Sequence, residues 1–472
     1  MLRILQKGKR LLHSDTIFAL ATAQGKAGVG IIRISGSEAG QALARILPEG
    51  RLAKVLSTPR KLFHTEFRDP ATLDVLDSGM VVYFPNPHSF TGEDVAELHI
   101  HSAKATIARF YAVLAGLARI AEPGEFTRRA FLSGKLDLTQ VEGLADLLAA
   151  ETELQRKFAL AQMDGRQSCI FAEWRGEIIR AMAMTEAWID FSEDELIEDE
   201  TLANVRSAVT ALVERIERQL AQTHIGEIVR SGFRVALCGP PNAGKSSILN
   251  MLVRRDAAIV SPVAGTTRDV LQASLDIGGI PVILSDTAGI REAAHDAIEQ
   301  EGIRRALKTA EQADHVLFVL DGSVAKTDPT WIDQLSRLDP AKTSLVLNKV
   351  DLLGDVDVAG IRSMLPPDLC DVRIFLNSCS VPDATFIGPF SDLVASRLGE
   401  TATDALPVIV NARQEAHART AVQHLGESLL QRDVVLAAEH LRQAANAIGK
   451  ITGHIDAEDV LDVLFSTFCI GK

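Results

Sequence analysis

The eight residues Gly239-Pro240-Pro241-Asn242-Ala243-Gly244-Lys245-Ser246 restrict this chain more than any other feature. They follow the apolar run Val235-Ala236-Leu237 and precede Ile248-Leu249-Asn250-Met251-Leu252, so a G-x-x-x-x-G-K-S loop joins a strand to a helix. Glycines in such a loop let backbone N–H groups close around β- and γ-phosphates at the positive end of the helix. Lys245 supplies a further charge to those phosphates, and the Ser246 hydroxyl is placed to ligate Mg²⁺. The surrounding chain must then be an α/β domain with a mostly parallel sheet.

Residues downstream follow the order such a domain requires. Gly265-Thr266-Thr267-Arg268-Asp269 offers switch threonines for Mg²⁺ and the γ-phosphate, and Asp286-Thr287-Ala288-Gly289 follows an apolar strand. Asp286 is expected in the metal's outer sphere, with the Gly289 N–H near the γ-phosphate. Asn348-Lys349-Val350-Asp351 closes the run Leu345-Val346-Leu347. The Asp351 carboxylate can accept two hydrogen bonds from N1–H and the 2-amino group of guanine, which adenine cannot offer. Ser378-Cys379 ends the next strand and is expected to present a backbone N–H to the guanine O6. Together the four motifs select GTP over ATP. The position after Gly289 is Ile290, where Gα and Ras-type GTPases carry a water-positioning Gln. Either hydrolysis is very slow or another group does that work; Arg291, Glu292 and Glu299 lie just beyond, each otherwise read as a solvated side chain.

Apolar runs at Phe233–Leu237, Val282–Leu284, Val316–Leu320, Leu345–Leu347 and Val372–Leu376 alternate with helical stretches, as a parallel sheet covered on both faces requires. Before it, residues 15–130 read as mixed α/β. Strands are expected at Ile17–Leu20, Val29–Ile34, Met80–Phe84 and Glu97–His101, with a helix over Ile107–Leu117. From Leu136 the period becomes 3.6: Val141, Leu144 and Leu148 share a face, as do Leu202, Val205, Val209, Leu212, Ile216 and Leu220. After Pro407 helices return, with Val434, Leu441, Ala445 and Ile448 on one face and Val460, Leu464, Phe465 and Phe468 on another. Two helical halves with apolar stripes are expected to cover each other, with the α/β unit inserted between them. The acidic stretch Glu186–Glu200 reads as a solvated turn.

Of 472 residues, 49 are Lys or Arg and 62 Asp or Glu, a net charge of −13, so bulk charge does not hold this chain to nucleic acid. Any RNA contact must come from a local patch, of which Arg128-Arg129 is the one candidate, or from a partner protein. No apolar run approaches the ~18–20 residues that span a bilayer. Five scattered cysteines without a Cys-x-x-Cys pair exclude a disulfide framework and a cysteine zinc site. Residues 1–13 are basic but lack a secretory apolar core, and read as a frayed extension of a cytoplasmic protein rather than a mitochondrial presequence.

Four further motifs are more specific: Thr91-Gly92-Glu93-Asp94-Val95; Pro123-Gly124-Glu125-Phe126-Thr127-Arg128-Arg129-Ala130-Phe131; Gly134-Lys135-Leu136-Asp137-Leu138; and the terminal Phe468-Cys469-Ile470-Gly471-Lys472. With the nucleotide motifs, they make the chain resemble the tRNA modification GTPase family (TrmE, also called MnmE) from about Asp15 to Lys472. The resemblance implies a folate-binding, dimerising α+β domain (1–130), a discontinuous helical domain (131–229 and 397–472) and an inserted Ras-like P-loop GTPase domain (230–396). It implies a homodimer that joins an FAD-dependent partner protein in a heterotetramer. That complex adds an aminomethyl or carboxymethylaminomethyl group to C5 of the wobble uridine of tRNA. The carbon comes from a tetrahydrofolate, in the 5,10-methylene or 5-formyl form.

The resemblance also assigns residues. Hydrolysis is implied to depend on K⁺, with Asn242, Ser261, Val263 and Thr266 as its ligands, Ser246 and Thr267 on Mg²⁺, and Glu299 orienting the attacking water. The nucleotide set also takes in Ser247, Thr287, Ala288 and Ser380. Arg33, Glu97, Lys135 and Lys472 fall on the folate positions; a carboxylate suits the amino-pyrimidine edge of a pterin and cations suit its glutamate tail. Cys469 carries two readings, a buried apolar thiol closing a helix or a redox-active or nucleophilic thiolate near the folate. The family's Gly-Arg-Gly-Gly is here Gly25-Lys26-Ala27-Gly28, its His-Gly-Gly is His101-Ser102-Ala103, and its final Ser-Ala is Ser378-Cys379. Added Cβ atoms at the second of these are expected to narrow a pocket built on glycine. The alternative to the whole reading is a regulatory switch GTPase of ribosome assembly with no modification chemistry of its own.

Overall fold

The structure is a computed structural model that describes residues 15–191, 199–255, 271–286, 308–325, 327–353, 358–380, 386–398, 407–453, 464–465 and 468–471. In chain order, the first part runs β1 (Ile17–Leu20), β2 (Gly30–Ser35), α1 (Ala39–Ile46), α2 (Glu49–Ser57), β3 (Phe63–Arg68), β4 (Val75–Phe84), β5 (Val95–Ile100), α3 (Lys104–Leu114), β6 (Arg119–Ile120) and α4 (Glu125–Leu132). Five helices follow: α5 (Leu138–Ala149), α6 (Glu153–Met163), α7 (Arg166–Phe191), α8 (Asp199–Leu220) and α9 (Thr223–Ser231). Next come β7 (Phe233–Cys238), α10 (Lys245–Arg255), β8 (Leu271–Ile277), β9 (Ile280–Asp286), β10 (His315–Asp321), α11 (Trp331–Leu335), β11 (Thr343–Asn348), α12 (Val358–Met364), β12 (Arg373–Leu376) and α13 (Ile387–Leu398). The last helices are α14 (Ala412–Leu430) and α15 (Val434–Ile451). The chain divides into two compact units, residues 1–145, 162–198 and 431–472 in one and 146–161 with 199–430 in the other.

In the first unit six strands form a sheet in the order β3-β4-β5-β2-β1-β6, antiparallel except for the β1–β6 pair. Alternation decides its two faces. Phe18, Ile32, Ile34, Phe67, Val81, Ala96 and Leu98 point to one side and are buried with Leu43 of α1 and Phe110 of α3. Phe67 meets Phe110 edge to face at 5.5 Å, and the Tyr111 hydroxyl accepts the Leu20 N–H at 2.9 Å, tying α3 to the end of β1. Arg33, Glu97 and His99 alternate onto the opposite, partly open side. Strand β3 has no counterpart among the sequence expectations: its outward His64, Glu66 and Arg68 dilute the apolar signal of Phe63, Thr65 and Phe67.

In the second unit the sheet order is β12-β11-β10-β7-β9-β8, parallel except for β8 against β9. Its central strands are buried on both sides, which is why they read as continuous apolar runs rather than alternating ones. Val235, Leu237, Leu317, Val319, Val346 and Phe375 go to one core, shared with Ile248 and Leu252 of α10 and Phe390 of α13. Phe158, Ile228, Val229 and Val410 extend that core. Ala236, Phe318, Leu320, Leu345 and Leu347 go to the other face, against Trp331 of α11 and Ile361 of α12.

Helix α7 lies along α15 in the first unit, and α8 lies along α14 in the second. On α8, Val205, Val209, Leu212, Ile216 and Leu220 are all buried, as their spacing predicts. The stripe expected on α5 stops earlier: Val141 and Leu144 are buried but Leu148, in the last turn, is exposed. Among the described residues no helix is long and apolar enough to cross a membrane.

Candidate functional site

Strand β7 ends at Cys238 and α10 begins at Lys245, so the loop between them lies at the carboxyl edge of a parallel sheet, where α/β folds bind ligands. Two of its glycines are sterically required. Gly239 has φ +129° and a Cβ there would run into the Val319 carbonyl; Gly244 has φ +96° and a Cβ would run into Asn348 Nδ2. Asn242 between them is also left-handed, φ +61°, a conformation Asn tolerates better than most residues. Lys245 is buried and its Nζ donates to the Gly239 and Pro240 carbonyls, both at 2.8 Å, so the ammonium lies over the loop. Ser246 and Ser247 occupy the first turn of α10. The backbone therefore forms the cradle that a polyphosphate needs.

The base-reading end is organised around Asn348, the last residue of β11 and 1 % exposed. Its Nδ2 donates to the Ala243 carbonyl at 2.8 Å, and its Oδ1 accepts from Asn377 Nδ2 at 2.9 Å. One amide thus joins the phosphate loop to the loop after β12. Asp351 Oδ1 accepts the Ser378 hydroxyl at 2.6 Å, and Ser378 Oγ in turn accepts the Ser380 N–H at 3.2 Å. Lys349, left-handed at φ +60°, reaches Asp321 at the end of β10 with Nζ–Oδ2 2.7 Å. Burial alone would raise the Asp321 pKa, but the Lys349 ammonium and the Ser323 hydroxyl hold it below the usual carboxylate range. The Cys379 Sγ lies 3.5 Å from Asn377 Nδ2, and burial of the sulfur, with the Asp351 charge adding to it, pushes its thiol pKa up. A carboxylate held by one hydroxyl, with a second oxygen available, fits the N1–H and 2-amino edge of guanine.

Asp286 ends β9 opposite Leu237 of β7, which puts its backbone beside the phosphate loop; its side chain lies outside the described residues. Ser261, Val263, Thr266, Thr267, Thr287, Ala288, Gly289, Ile290, Arg291, Glu292, Glu299 and Lys472 lie outside them as well. Asn377 and Asp321 were not expected from the motifs. Asp321 closes the apolar run of β10 and Asn377 closes that of β12, a strand-end position shared with Asn348 that could have singled them out.

A second constellation sits on the open face of the N-terminal sheet. Arg33 and Glu97 are directly opposite each other on β2 and β5, and Glu97 Oε1 accepts from both Arg33 Nε and Nη2 at 2.9 Å. The Arg33 guanidinium lies 5.4 Å from the Phe90 ring centre and 5.7 Å from that of Phe126, with Phe90 exposed and Phe126 buried. The three distant motifs meet beside them. Arg129, with 3 % of its side chain exposed, pairs with Glu93 (3.1 Å), Glu125 (2.9 Å) and Asp15 (3.0 Å). Glu93 also accepts the Ser35 hydroxyl at 2.7 Å, fastening the Thr91–Val95 loop to β2. Gly92 has φ +80° and packs against Ser133 and the Lys135 side chain, which brings the exposed Lys135 to this loop. The tail arrives here too: a Cβ on Gly471 would strike the Leu20 carbonyl, and the Cys469 carbonyl accepts the Gly124 N–H at 3.4 Å.

Two expectations change. Arg128-Arg129 is not a basic surface, because Arg129 is buried among three carboxylates. Cys469 is exposed, not a buried thiol closing a helix, since Phe468 and Gly471 take the buried places on either side of it and Ile470. The extra atoms of Ser102 have a defined home: its Oγ donates to the Gly25 carbonyl at 2.9 Å and its Cβ packs on Gly30, so it fastens the Gly25–Gly28 turn. His101 stands outside that turn and pairs with Asp77 at 2.8 Å.

Comparison with known proteins gives two family matches, the MnmE helical domain over residues 138–469 and the GTP-binding protein TrmE N-terminus over residues 16–135. A tRNA modification GTPase MnmE of Parvibaculum lavamentivorans is 46 % identical over 468 residues, covering 97 % of this chain and 100 % of that protein. The MnmE of Rickettsia rickettsii (strain Sheila Smith) is 42 % identical over 460 residues, covering 97 % of this chain and all of its own. The mitochondrial 5-taurinomethyluridine-[tRNA] synthase subunit GTPB3 of Danio rerio is 43 % identical over 480 residues, covering 97 % of this chain and 93 % of its own.

Proposed function

This chain belongs to the MnmE (TrmE) family of tRNA modification GTPases, and from that membership we propose that it is the GTP-hydrolysing component of a complex that modifies C5 of the wobble uridine of tRNA. The observation that carries the reading is Asn348, whose single buried amide couples the phosphate loop to the guanine-reading loops. Gly239 and Gly244 hold positive-φ conformations in which any Cβ would collide with the protein itself, so only glycine permits this loop, of the kind whose backbone N–H groups cradle phosphates. Ser246, with Thr267, would hold Mg²⁺, which supplies charge neutralisation for the transferring phosphoryl group. The same site takes K⁺ beside the triphosphate, with Asn242, Ser261, Val263 and Thr266 as ligands and Glu299 orienting the attacking water in place of the missing Gln at Ile290. Asn242 supports this part: it stands in the phosphate loop in a left-handed conformation, φ +61°.

The N-terminal face is the tetrahydrofolate site of the same reaction. Glu97 offers a carboxylate, Arg33 and Lys135 offer cations, and Gly471 packs on Leu20 of β1, the strand paired with the one that carries Arg33. The active assembly is a homodimer joined by an FAD-dependent partner protein, acting on tRNA in the cytoplasm. Ribosome assembly, the rival role, would leave this polar sheet face without a task, and the burial of Arg129 removes the Arg128-Arg129 patch as a surface for RNA.

GTP turnover by the full-length chain in KCl and in NaCl tests the catalytic half. The reading expects faster hydrolysis in K⁺, and loss of that stimulation in Asn242→Ala with GDP still bound. Equal rates in the two salts would overturn the potassium assignment.

A further inference from the structure

His99 belongs to no motif and takes no part in the assignments above. Strand alternation sets it on the same face as Glu97, two residues along β5, roughly 7 Å away along the strand. Its cross-strand neighbours are Ile31 of β2 and Met80 of β4, neither of which can hydrogen-bond to an imidazole. Nε2 is buried and has no hydrogen-bond partner among the described residues. Glu97 Oε2 lies 3.7 Å from it, too far for a hydrogen bond. Glu97 spends its other oxygen, Oε1, on both Arg33 contacts. One carboxylate oxygen and one imidazole nitrogen therefore lie side by side with their hydrogen-bonding capacity unspent.

Leaving a buried polar atom unpaired is costly, and a bound ligand group can remove that cost. The group that fits has two adjacent polar atoms on a flat edge, one a donor to a carboxylate and the next able to meet an imidazole in either tautomer. We propose that His99 is a ligand-binding residue for the aminopyrimidine edge of a reduced pterin, taking the ring nitrogen while Glu97 Oε2 accepts the exocyclic amino group. This rests on the folate reading of the preceding section and names the part of that ligand His99 reads. The surroundings suit a planar ring: Phe90 is exposed beside Arg33, and Ile31 and Met80 flank the imidazole. Lys135, by contrast, faces the Gly92 loop and serves the glutamate tail.

The test uses the full-length chain and two probes, 5-formyltetrahydrofolate and the tail-less 6-methyltetrahydropterin, titrated calorimetrically. His99→Ala should weaken both by about tenfold, the worth of one good hydrogen bond. His99→Gln, which keeps a group able to donate or accept, should recover most of the loss for both. Lys135→Ala should weaken only the probe that carries the tail. A His99→Ala chain that binds 6-methyltetrahydropterin as the wild type does would overturn the proposal, as would equal losses in His99→Ala and His99→Gln. A wild-type chain that binds neither probe overturns the folate reading first and this proposal with it, a result distinct from both.

Discussion

Asn348→Ala is the perturbation that bears hardest on the nucleotide site. The side chain is 1 % exposed and holds two hydrogen bonds, 2.8 Å to the Ala243 carbonyl and 2.9 Å from Asn377 Nδ2. Truncation leaves the Ala243 carbonyl without this donor and leaves Asn377 with only the weak Cys379 sulfur at 3.5 Å. At about 1–3 kcal/mol for each orphaned group, less some local relaxation, the loss is about 3 kcal/mol. That energy holds the phosphate loop against the guanine loops, so nucleotide binding must restore it, and GDP affinity should fall about a hundredfold. Asn348→Asp should do no better, because it keeps an acceptor for Asn377 but turns a negative oxygen toward the Ala243 carbonyl. Titration with a fluorescent GDP analogue in Mg²⁺, together with urea unfolding of the nucleotide-free chain, reads both quantities. Binding within threefold of wild type with an unchanged unfolding midpoint would refute the coupling.

Other outcomes follow from single contacts. Asp351→Asn should weaken GTP by about a hundredfold and improve binding of xanthosine triphosphate, since the charged acceptor that Ser378 holds at 2.6 Å is lost; a competition assay with the two nucleotides checks it. His315 is buried against Phe233 with Nε2 3.0 Å from Ser344 Oγ, and burial, with the positive Arg397 and Arg373, lowers its pKa from 6.5 to about 4. The unfolded chain therefore takes up a proton that the folded one refuses. Stability is full above pH 6.5 and falls by up to roughly 3 kcal/mol as pH drops to about 4, and His315→Asn should remove that part of the slope in urea unfolding. Arg129→Met should cost about 3–5 kcal/mol by leaving Glu93, Glu125 and Asp15 without their shared cation, while GDP affinity stays within twofold; denaturation and GDP titration of the same preparation separate the two effects.

What could be read from the residues alone was local. The phosphate loop, the Asn348–Asp351 motif and the strands before them announce themselves because each polar motif follows an unbroken apolar run, Val235–Leu237 or Leu345–Leu347, buried on both faces of the sheet. The N-terminal site is built otherwise. Arg33 and Glu97 are 64 residues apart and Arg129 and Glu93 are 36 apart, and no periodicity relates such positions; only strand register brings them together. Their assignment came from resemblance, and the reason for it, an ion-pair network pinning the Thr91–Val95 loop, came from the structure. Arg129 shows the limit most clearly: two adjacent arginines look like a surface for phosphate until Glu125, one turn earlier, and Glu93 and Asp15 from distant segments surround one of them.

The central claim is that this GTPase serves chemistry on the wobble uridine, and nucleoside mass spectrometry of tRNA from a strain lacking the chain tests it most directly. The account predicts that uridines modified at C5 disappear from the wobble position while other tRNA modifications persist, and that the wild-type chain restores them but Asn348→Ala does not. An unaltered nucleoside profile in the deletion strain would contradict it.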